Sequence, residues 1–567
     1  MTFLNRKWCF LDPDKECVKS FSQELNISPI LSRILINRSI NNAAAAKQFL
    51  FPRLSFLSDP LEIPHMAQAL EVVQSARQQN KKVCVFGDYD VDGVSSSAIL
   101  IDVLRKIGFS CEYYIPHRRD EGYGLNLAAI KKIKEQGVEL IITVDCGVSN
   151  HKEIALAHSL NMQVVVTDHH NVSLPLPEAD AIVNPKLIKG ESSLKYLAGV
   201  GVAFKFAWAL LRLFKLGDAA SLAAYLDLAA LGTIADVVPL IGENRILVVH
   251  GLKHINAKKR KGLSSLAEAA NLKSISIRDV NFGLAPRLNA AGRLEHANLS
   301  LSLLLEEEEQ KAKELAQELN RVNSRRQGIG EEIQKAAFAR IEKENMGQGK
   351  MIFVDGQSWH TGVIGIAASK ISDRYFRPTV LVGVENGLGR GSARSIENFD
   401  IFSLLNSCRD LFIDFGGHRG AAGFSILENN ISQLNQRLKE NIEPMLTGED
   451  LQPIENIDAI LEERDLTLDL QHSLVQLEPY GGGNCEPVFV TRAIKLRDIS
   501  QVGRDGAHLK LKIDSAQGKL DAIGFSLGHF SSQLNFADKY NIAYNLRSNV
   551  WNESENLQLN LIDMEKT

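Results

Sequence analysis

"KVCVFGDYDVDGVSSSAILIDVLRKIG", residues 82–108, decides the fold. An apolar run, Val83–Phe86, ends in three alternating aspartates, Asp88, Asp90 and Asp92, and Gly93 then opens an apolar helical pattern. A short strand with no polar alternation is buried on both faces, and a helix directly after it is the repeating unit of a parallel α/β sheet. The same pattern recurs downstream. "CEYYIP" (111–116), "VELIITV" (138–144), "VVVT" (164–167) and "AIVNP" (181–185) read as strands, with "KEIALAHSLN" (152–161) as a helix between them. A doubly wound parallel sheet follows, with two helices over 198–235 packed on it.

At 567 residues the chain is too long for one core and implies about three to five domains. Residues 1–65 carry short helical patterns such as "NNAAAAKQFL", and 66–245 hold the α/β domain. Residues 246–345 form a helical connector, whose charged stretch "LLLEEEEQKAKELAQELNRVNSRRQGIGEEIQKAAFARIEKE" is broken only by Gly328 and Gly330. Its charges are those of a solvated helix bridging two domains. A second α/β pattern occupies 346–450. Residues 451–567 show short strands with Gly turns, the pattern of a small β-barrel of OB type.

Composition narrows the class. Apolar residues make up 45% and charged residues 23%, values of an ordinary globular chain. The net charge of −4 argues against attachment to nucleic acid by overall charge, while leaving room for a local basic channel. Cys9, Cys17, Cys84, Cys111, Cys146, Cys408 and Cys485 are scattered with no CxxC pair, as expected of reduced thiols in the cytoplasm. No apolar run approaches the roughly 20 residues of a membrane span.

The chemistry gathers at the strand ends. Alternate residues of an extended segment share a face, so Asp88, Asp90 and Asp92 are expected to converge. An Asp-rich turn capping the helix accounts for one aspartate but poorly for three. "ITVDCGVSN" ends a second strand with Asp145, and "VVVTDHH" ends a third with Asp168, His169 and His170. In a parallel sheet these ends lie on the carboxyl edge, where open α/β folds bind ligands. Asp236 in "LGTIADVVPL" follows an apolar helix and is either a helix-end residue or a further ligand. Such an oxygen-rich set with one or two imidazoles suits Mn²⁺ or Mg²⁺ better than zinc. More carboxylates than one ion needs imply two ions sharing an aspartate, the arrangement that clamps an in-line displacement at phosphorus.

Taken in order, "DYDVDG", "VDCG", "TDHH" and "ADVVPL" resemble the four motifs of the DHH-superfamily phosphoesterases. "APRLNAAGR" (285–293), "SWHTGVIGIAASKI" (358–371), "GRGSARS" (389–395) and "GGHRGAAGFS" (416–425) resemble the connector and DHHA1 domain of the superfamily's single-strand-specific exonucleases. The β-rich tail resembles their OB domain. The resemblance implies Asp90, Asp92, Asp145, His169 and Asp236 as metal ligands. It places His170 in the same shell, as a ligand or as the group that orients the scissile phosphate, and Asp168 behind it. Many members carry a His where this chain has Phe86, and Asp88, another residue or water is then expected to complete that part of the site.

The resemblance also implies Arg118 as a phosphate contact, Ser392 and Arg394 as sensors of a 5′ phosphate, and His418 as a contact to the scissile phosphate. Arg287 and Asn289 are expected to face the strand. Trp359 and His360 fit the core of the second α/β domain, and Phe489, Phe525 and Lys510 suit either the barrel core or its binding surface. The implied enzyme is a 5′→3′ exonuclease that degrades single-stranded DNA to mononucleotides in recombination and repair. It would act as a cytoplasmic monomer supplied by a helicase or single-strand-binding protein. Two alternatives stand beside it: a phosphoesterase for short oligonucleotides or cyclic dinucleotides, and a catalytically inactive DNA-binding scaffold.

Overall fold

Five strands form one parallel sheet in the computed structural model: β1 (Val83–Gly87), β2 (Cys111–Tyr114), β3 (Leu140–Val144), β4 (Gln163–Thr167) and β5 (Ala181–Val183). The structure describes residues 2–217, 219–515, 518–551 and 554–567. The strand order is β2-β1-β3-β4-β5, so the winding reverses between β1 and β3, where a crevice opens beyond the carboxyl ends. Val83, Val85, Leu140 and Ile142 face one apolar cluster, and Cys84, Phe86, Ile141 and Val164 face the other. This double burial is why the strands read as unbroken apolar runs.

Helix α1 (Val91–Ile107) follows β1 and is buried over most of its length, Ser95, Ser96 and Ser97 included. Helices α2 (Gly199–Leu213) and α3 (Leu226–Ala235) share its apolar cluster. A buried ion pair anchors α2: Lys205 Nζ lies 2.6 Å from Glu243 Oε2 and donates to Ser58 O at 2.7 Å. Neither side chain reaches solvent to any extent.

The connector differs from its sequence pattern. After α4 (Ala285–Leu294), the charged stretch forms one continuous helix of 35 residues, α5 (Glu309–Lys343), running through both Gly328 and Gly330. Glycine costs a helix about 1 kcal/mol per position. Packing at both ends offsets this: Ala312, Ala316 and Leu319 enter the first core, and Ile333, Ala337 and Ile341 enter that of the second sheet. That sheet comprises β6 (Ile352–Gln357), β7 (Thr379–Glu385), β8 (Leu388–Arg394), β9 (Phe412–His418) and β10 (Ala421–Leu427) in the order β9-β10-β8-β7-β6. Only the β6–β7 pair is parallel. Helix α6 (Thr361–Tyr375) packs on it.

All of this lies in one compact unit, Pro52–Glu443, and the rest of the chain forms a second. In the second unit β11 (Phe489–Val502), β12 (His508–Ser515), β13 (Gly518–Gly524), β14 (Lys539–Trp551) and β15 (Ser554–Lys566) run in the order β11-β12-β13-β15-β14. Strand β14 pairs back onto β11 and closes a barrel of OB topology; β13 and β15 are parallel, and the short strand Ala459–Ile460 adds to β11 in parallel. Residues 1–51 belong with this barrel rather than with 52–65. The strand Lys7–Phe10 pairs in parallel with Ile454–Ile457, and Phe21, Leu31, Ile34, Leu35 and Phe49 enter the barrel core. Phe489 is core, Phe525 is exposed, and Lys510 pairs with Asp521 at 2.8 Å. Among the described residues no helix is long and apolar enough to cross a membrane.

Removing the buried cation should show what the ion pair under α2 contributes. Lys205→Met leaves Glu243 charged and buried, and is expected to cost about 3 kcal/mol in thermal unfolding. Adding Glu243→Leu should recover most of the loss.

Candidate active site

The three aspartates after β1 converge by a route other than a shared strand face. Extended backbone ends at Gly87, Asp90 caps α1, and its Oδ1 accepts from the backbone N–H of Asp92 (2.9 Å) and Gly93 (3.1 Å). Asp92 enters from the first helical turn, and its two oxygens accept from Gly199 N (2.7 Å) and Val200 N (2.8 Å). One carboxylate thereby caps a second helix, α2. A Cβ at Gly199 would lie 2.6 Å from Asp145 Oδ1, and one at Gly232 of α3 would lie 2.8 Å from Asp92 Oδ1. Only glycine lets these helices approach the carboxylates so closely.

Asp145 leaves β3 at φ 60°, and Asp236 ends α3 before Val237 at φ 59°, a conformation rare for a β-branched residue. His169 Nε2 lies 3.1 Å from Asp145 Oδ1, 3.7 Å from Asp236 Oδ2 and 3.8 Å from Asp92 Oδ2. Three overlapping groups result, Asp88–Asp90–Asp145, Asp92–His169–Asp236 and Asp145–His169–His170, each with its donor atoms within 4.8 Å of one another. Asp168 is different, because it belongs to none of the three groups. Oδ2 accepts from Val148 N (3.0 Å), while Oδ1 accepts from His169 N (2.7 Å) and His170 N (3.1 Å) and lies 2.8 Å from His170 Nδ1. It orients the histidines. Tyr123, which no motif singled out, donates its hydroxyl to Asp145 O at 2.8 Å and lies 3.1 Å from His170 Nδ1.

Charge is badly balanced among these groups. Burial pushes the carboxyls of Asp88, Asp92 and Asp145 well up, and the neighbouring aspartates push them further. Burial and Asp90 raise Asp236 to about 7. For His169, burial and the adjacent His170 lower the imidazole to about 3, so it is neutral and able to ligate. Buried oxygens of Asp88 (Oδ1), Asp145 (Oδ1) and Asp236 (Oδ2) accept no hydrogen bond. Orphaned carboxylate oxygens on this scale call for a cation, and the oxygen-rich donor set fits Mn²⁺ or Mg²⁺. Phe86 is fully buried and stacks on Tyr114 with ring centroids 5.4 Å apart, so the group beside β1 is built from carboxylates alone.

Next to the carboxylates lies a cationic cavity of about 300 Å³, lined by residues that include Arg118, Arg293, His360, Arg390 and Ser392. The Arg118 guanidinium sits over the Tyr89 ring at 4.8 Å. Arg394 donates to Ser392 Oγ (3.1 Å) and Ser369 Oγ (3.0 Å), and Arg293 to Gly362 O (3.2 Å). Burial, together with Arg118, Arg326 and Arg394, lowers Arg293 to about 9. Among the described residues no carboxylate lies within ion-pair distance of Arg118, Arg293 or Arg394, whereas neighbouring Arg119 pairs with Glu385 at 2.8 Å. Like Tyr123, Arg293 is a candidate that sequence reasoning missed. Its only signal was the closing position of "APRLNAAGR".

The remaining candidates sit further out. Arg287 donates to Asn320 Oδ1 (2.9 Å) and Gly283 O (2.7 Å), and Asn289 accepts from Val91 N (3.2 Å), which steadies the turn into α1. His360 caps α6, accepting from Gly362 N at 3.2 Å, and Trp359 packs against Gly356 and Gly383. His418 ends β9 exposed to solvent. Its ring accepts from Gly420 N (3.2 Å), and it makes no hydrogen bond or ion pair with the carboxylates.

Residues 82–233 match the family model described as DHH family, N-terminal domain, residues 348–443 the DHHA1 domain, and residues 457–563 the RecJ OB domain. The chain is 36% identical over 561 residues to the single-stranded-DNA-specific exonuclease RecJ of Bacillus subtilis, covering 98% of this chain and 70% of that protein. The crystal structure of RecJ from Thermus thermophilus in complex with Mn²⁺ superimposes with a TM-score of 0.86 at 30% identity, over 99% of this chain and 80% of that one. The Mg²⁺ complex of the Thermus protein gives 0.79 at 29% identity, over 99% and 78%.

Proton and metal should compete for the carboxylates. In the metal-free protein Asp236 is raised from 3.8 to about 7, so the folded state holds a proton that the unfolded chain has lost. Stability is then full below about pH 4 and falls as pH rises toward 7. Mn²⁺ is expected to raise the melting temperature more at about pH 8 than at about pH 5.5, and equal rises would contradict the competition. Asp145→Asn, with one repelling charge fewer, should melt above the metal-free wild type and gain little from Mn²⁺.

Proposed function

The chain belongs to the RecJ family of single-stranded-DNA-specific exonucleases, and on that premise we propose that it removes mononucleotides from the 5′ end of single-stranded DNA. The observation that carries this is the adjacency of two opposite charge imbalances in one crevice: Arg118 acts on Asp88, and Asp90 on Arg293. A phosphodiester with a terminal phosphate satisfies both at once.

Asp88, Asp90 and Asp145 would hold one divalent ion, and Asp92, His169 and Asp236 a second, with Asp145 and His169 in contact between the groups. Bound there, Mn²⁺ or Mg²⁺ supplies Lewis-acid polarisation of the scissile phosphate and activation of the attacking water. The chain's own groups do the rest. Burial would lower the His170 imidazole, but the hydrogen bond and charge of Asp168 outweigh this and raise it. Nδ1 of His170 lies on Asp168 Oδ1, which leaves Nε2 to face a phosphate oxygen. Tyr123 fixes the Asp145 backbone and the His170 ring together. Arg118, Arg293, Ser392 and Arg394 receive the 5′-terminal phosphate with forked donors and a hydroxyl. Arg287 and His418 stand along the strand behind it.

Full-length similarity to exonucleases, with connector and barrel both present, favours this reading over an oligonucleotide phosphoesterase. Every motif carboxylate is present, which favours it over an inactive scaffold. The substrate must already be separated from its complement, so a helicase or single-strand-binding protein is the partner class that supplies it, in recombination and repair. A monomer acting in the cytoplasm is part of the same reading.

With Mn²⁺, the purified protein should release mononucleotides from 5′-phosphorylated single strands and leave blunt duplexes intact. Cleavage confined to dinucleotides, with long strands untouched, would contradict the proposal. Asp145→Ala should lower the rate about a thousandfold while single-strand binding persists. For Arg394→Ala, the preference for a 5′-phosphate over a 5′-hydroxyl should fall about tenfold.

A further inference from the structure

Two lysines without an ion-paired carboxylate among the described residues, Lys186 and Lys195, are tied to the segments that carry the Asp92–His169–Asp236 group, and no motif accounts for them. Lys186 follows β5. Hydrogen bonds at both ends hold it in place. Asn184 donates to His170 O (3.0 Å) and accepts from Lys186 N (2.8 Å), which ties the start of the loop to the histidines. At the other end Lys186 Nζ donates to Lys195 O at 2.7 Å, just ahead of the α2 amides that cap Asp92. Asn244 then bonds both Tyr196 O (2.5 Å) and Pro239 O (3.0 Å), stitching the Lys195–Tyr196 segment to the loop that follows Asp236.

Burial and the charge of Lys195 disfavour the charge on Lys186, and Asp236 favours it. Neither lysine lies within ion-pair distance of a carboxylate among the described residues, and the one polar partner of Lys186 Nζ is a neutral carbonyl. Two cations held together with no ion-paired acid are stabilised when an anion lies between them.

Strand polarity says which anion that is. With the 5′-terminal phosphate among Arg118, Arg293 and Arg394 and the scissile phosphate at the carboxylates, the strand leaves past the group that does not face those arginines. We propose that Lys186 and Lys195 form the subsite for the phosphate immediately 3′ of the scissile one. This rests on the 5′-exonuclease reading and deepens it. The site then grips three successive phosphates, and the two lysines hold the strand that remains after each cut.

The test uses the full-length protein with Mn²⁺ and a 5′-phosphorylated trinucleotide, either unmodified or with an uncharged methylphosphonate in its second internucleotide link. On the unmodified substrate, Lys186→Gln and Lys195→Gln are each expected to lower kcat/KM about tenfold. In wild type the methylphosphonate should cause a similar loss, and the substitutions should add little on that substrate. Independent, multiplying losses would overturn the proposal, as would full activity of the variants on the unmodified substrate or of wild type on the methylphosphonate. If wild type cleaves neither trinucleotide nor longer strands, the exonuclease reading falls and takes this subsite with it.

Discussion

The constraint on which the rest of this structure depends is repulsion among buried carboxylates. Asp88, Asp92 and Asp145 are almost wholly shielded from solvent, and Asp90 and Asp236 stand against them. Like charges at such separations in a poor dielectric oppose folding unless a cation lies between them. The surrounding fold is committed to holding them in spite of this. Asp92 is spent on capping α2, glycines at 199 and 232 clear space for two helices, and Asp145 and Val237 adopt unfavourable backbone conformations. These features are hard to account for as a stability device and easy to account for as a preformed metal centre.

The cations repeat the argument with opposite sign. Arg118, Arg293 and Arg394 are grouped without an acid, although Arg119, Arg212, Arg260 and Arg437 in the same unit each pair with a carboxylate. Unbalanced positive charge beside unbalanced negative charge is a template for a metal-bound phosphodiester. The second sheet matters because Ser392 and Arg394 lie on β8, and α5 makes that sheet continuous with the first. Both cores seize the same helix, and this sets the distance between metal site and phosphate pocket.

Much of the site was legible in short motifs, because its residues sit at strand ends that the apolar runs announce. Asp145 and His169 fall where the sheet edge places them, and Asp236 joins them from the end of α3. For Asp88, Asp90 and Asp92 convergence was foreseeable, but the path was not: a helix start replaces the extended face, and capping by Gly199 and Val200 is a contact over a long sequence separation. The same limit hid Arg293 and Tyr123, whose roles come from neighbours on other elements. It also hid the attachment of residues 1–51 to the barrel, since no local pattern reports a strand partner at the far end of a chain. Gly328 and Gly330 misled in another way, because local propensity lost to packing at both ends of α5.

The central claim is that the carboxylates converge around two divalent ions rather than around protons. Anomalous diffraction at the manganese edge, from crystals of the wild-type protein grown with Mn²⁺, addresses it directly. Two peaks are expected, one among Asp88, Asp90 and Asp145 and one among Asp92, His169 and Asp236. Convergent carboxylates with no manganese between them would contradict the account.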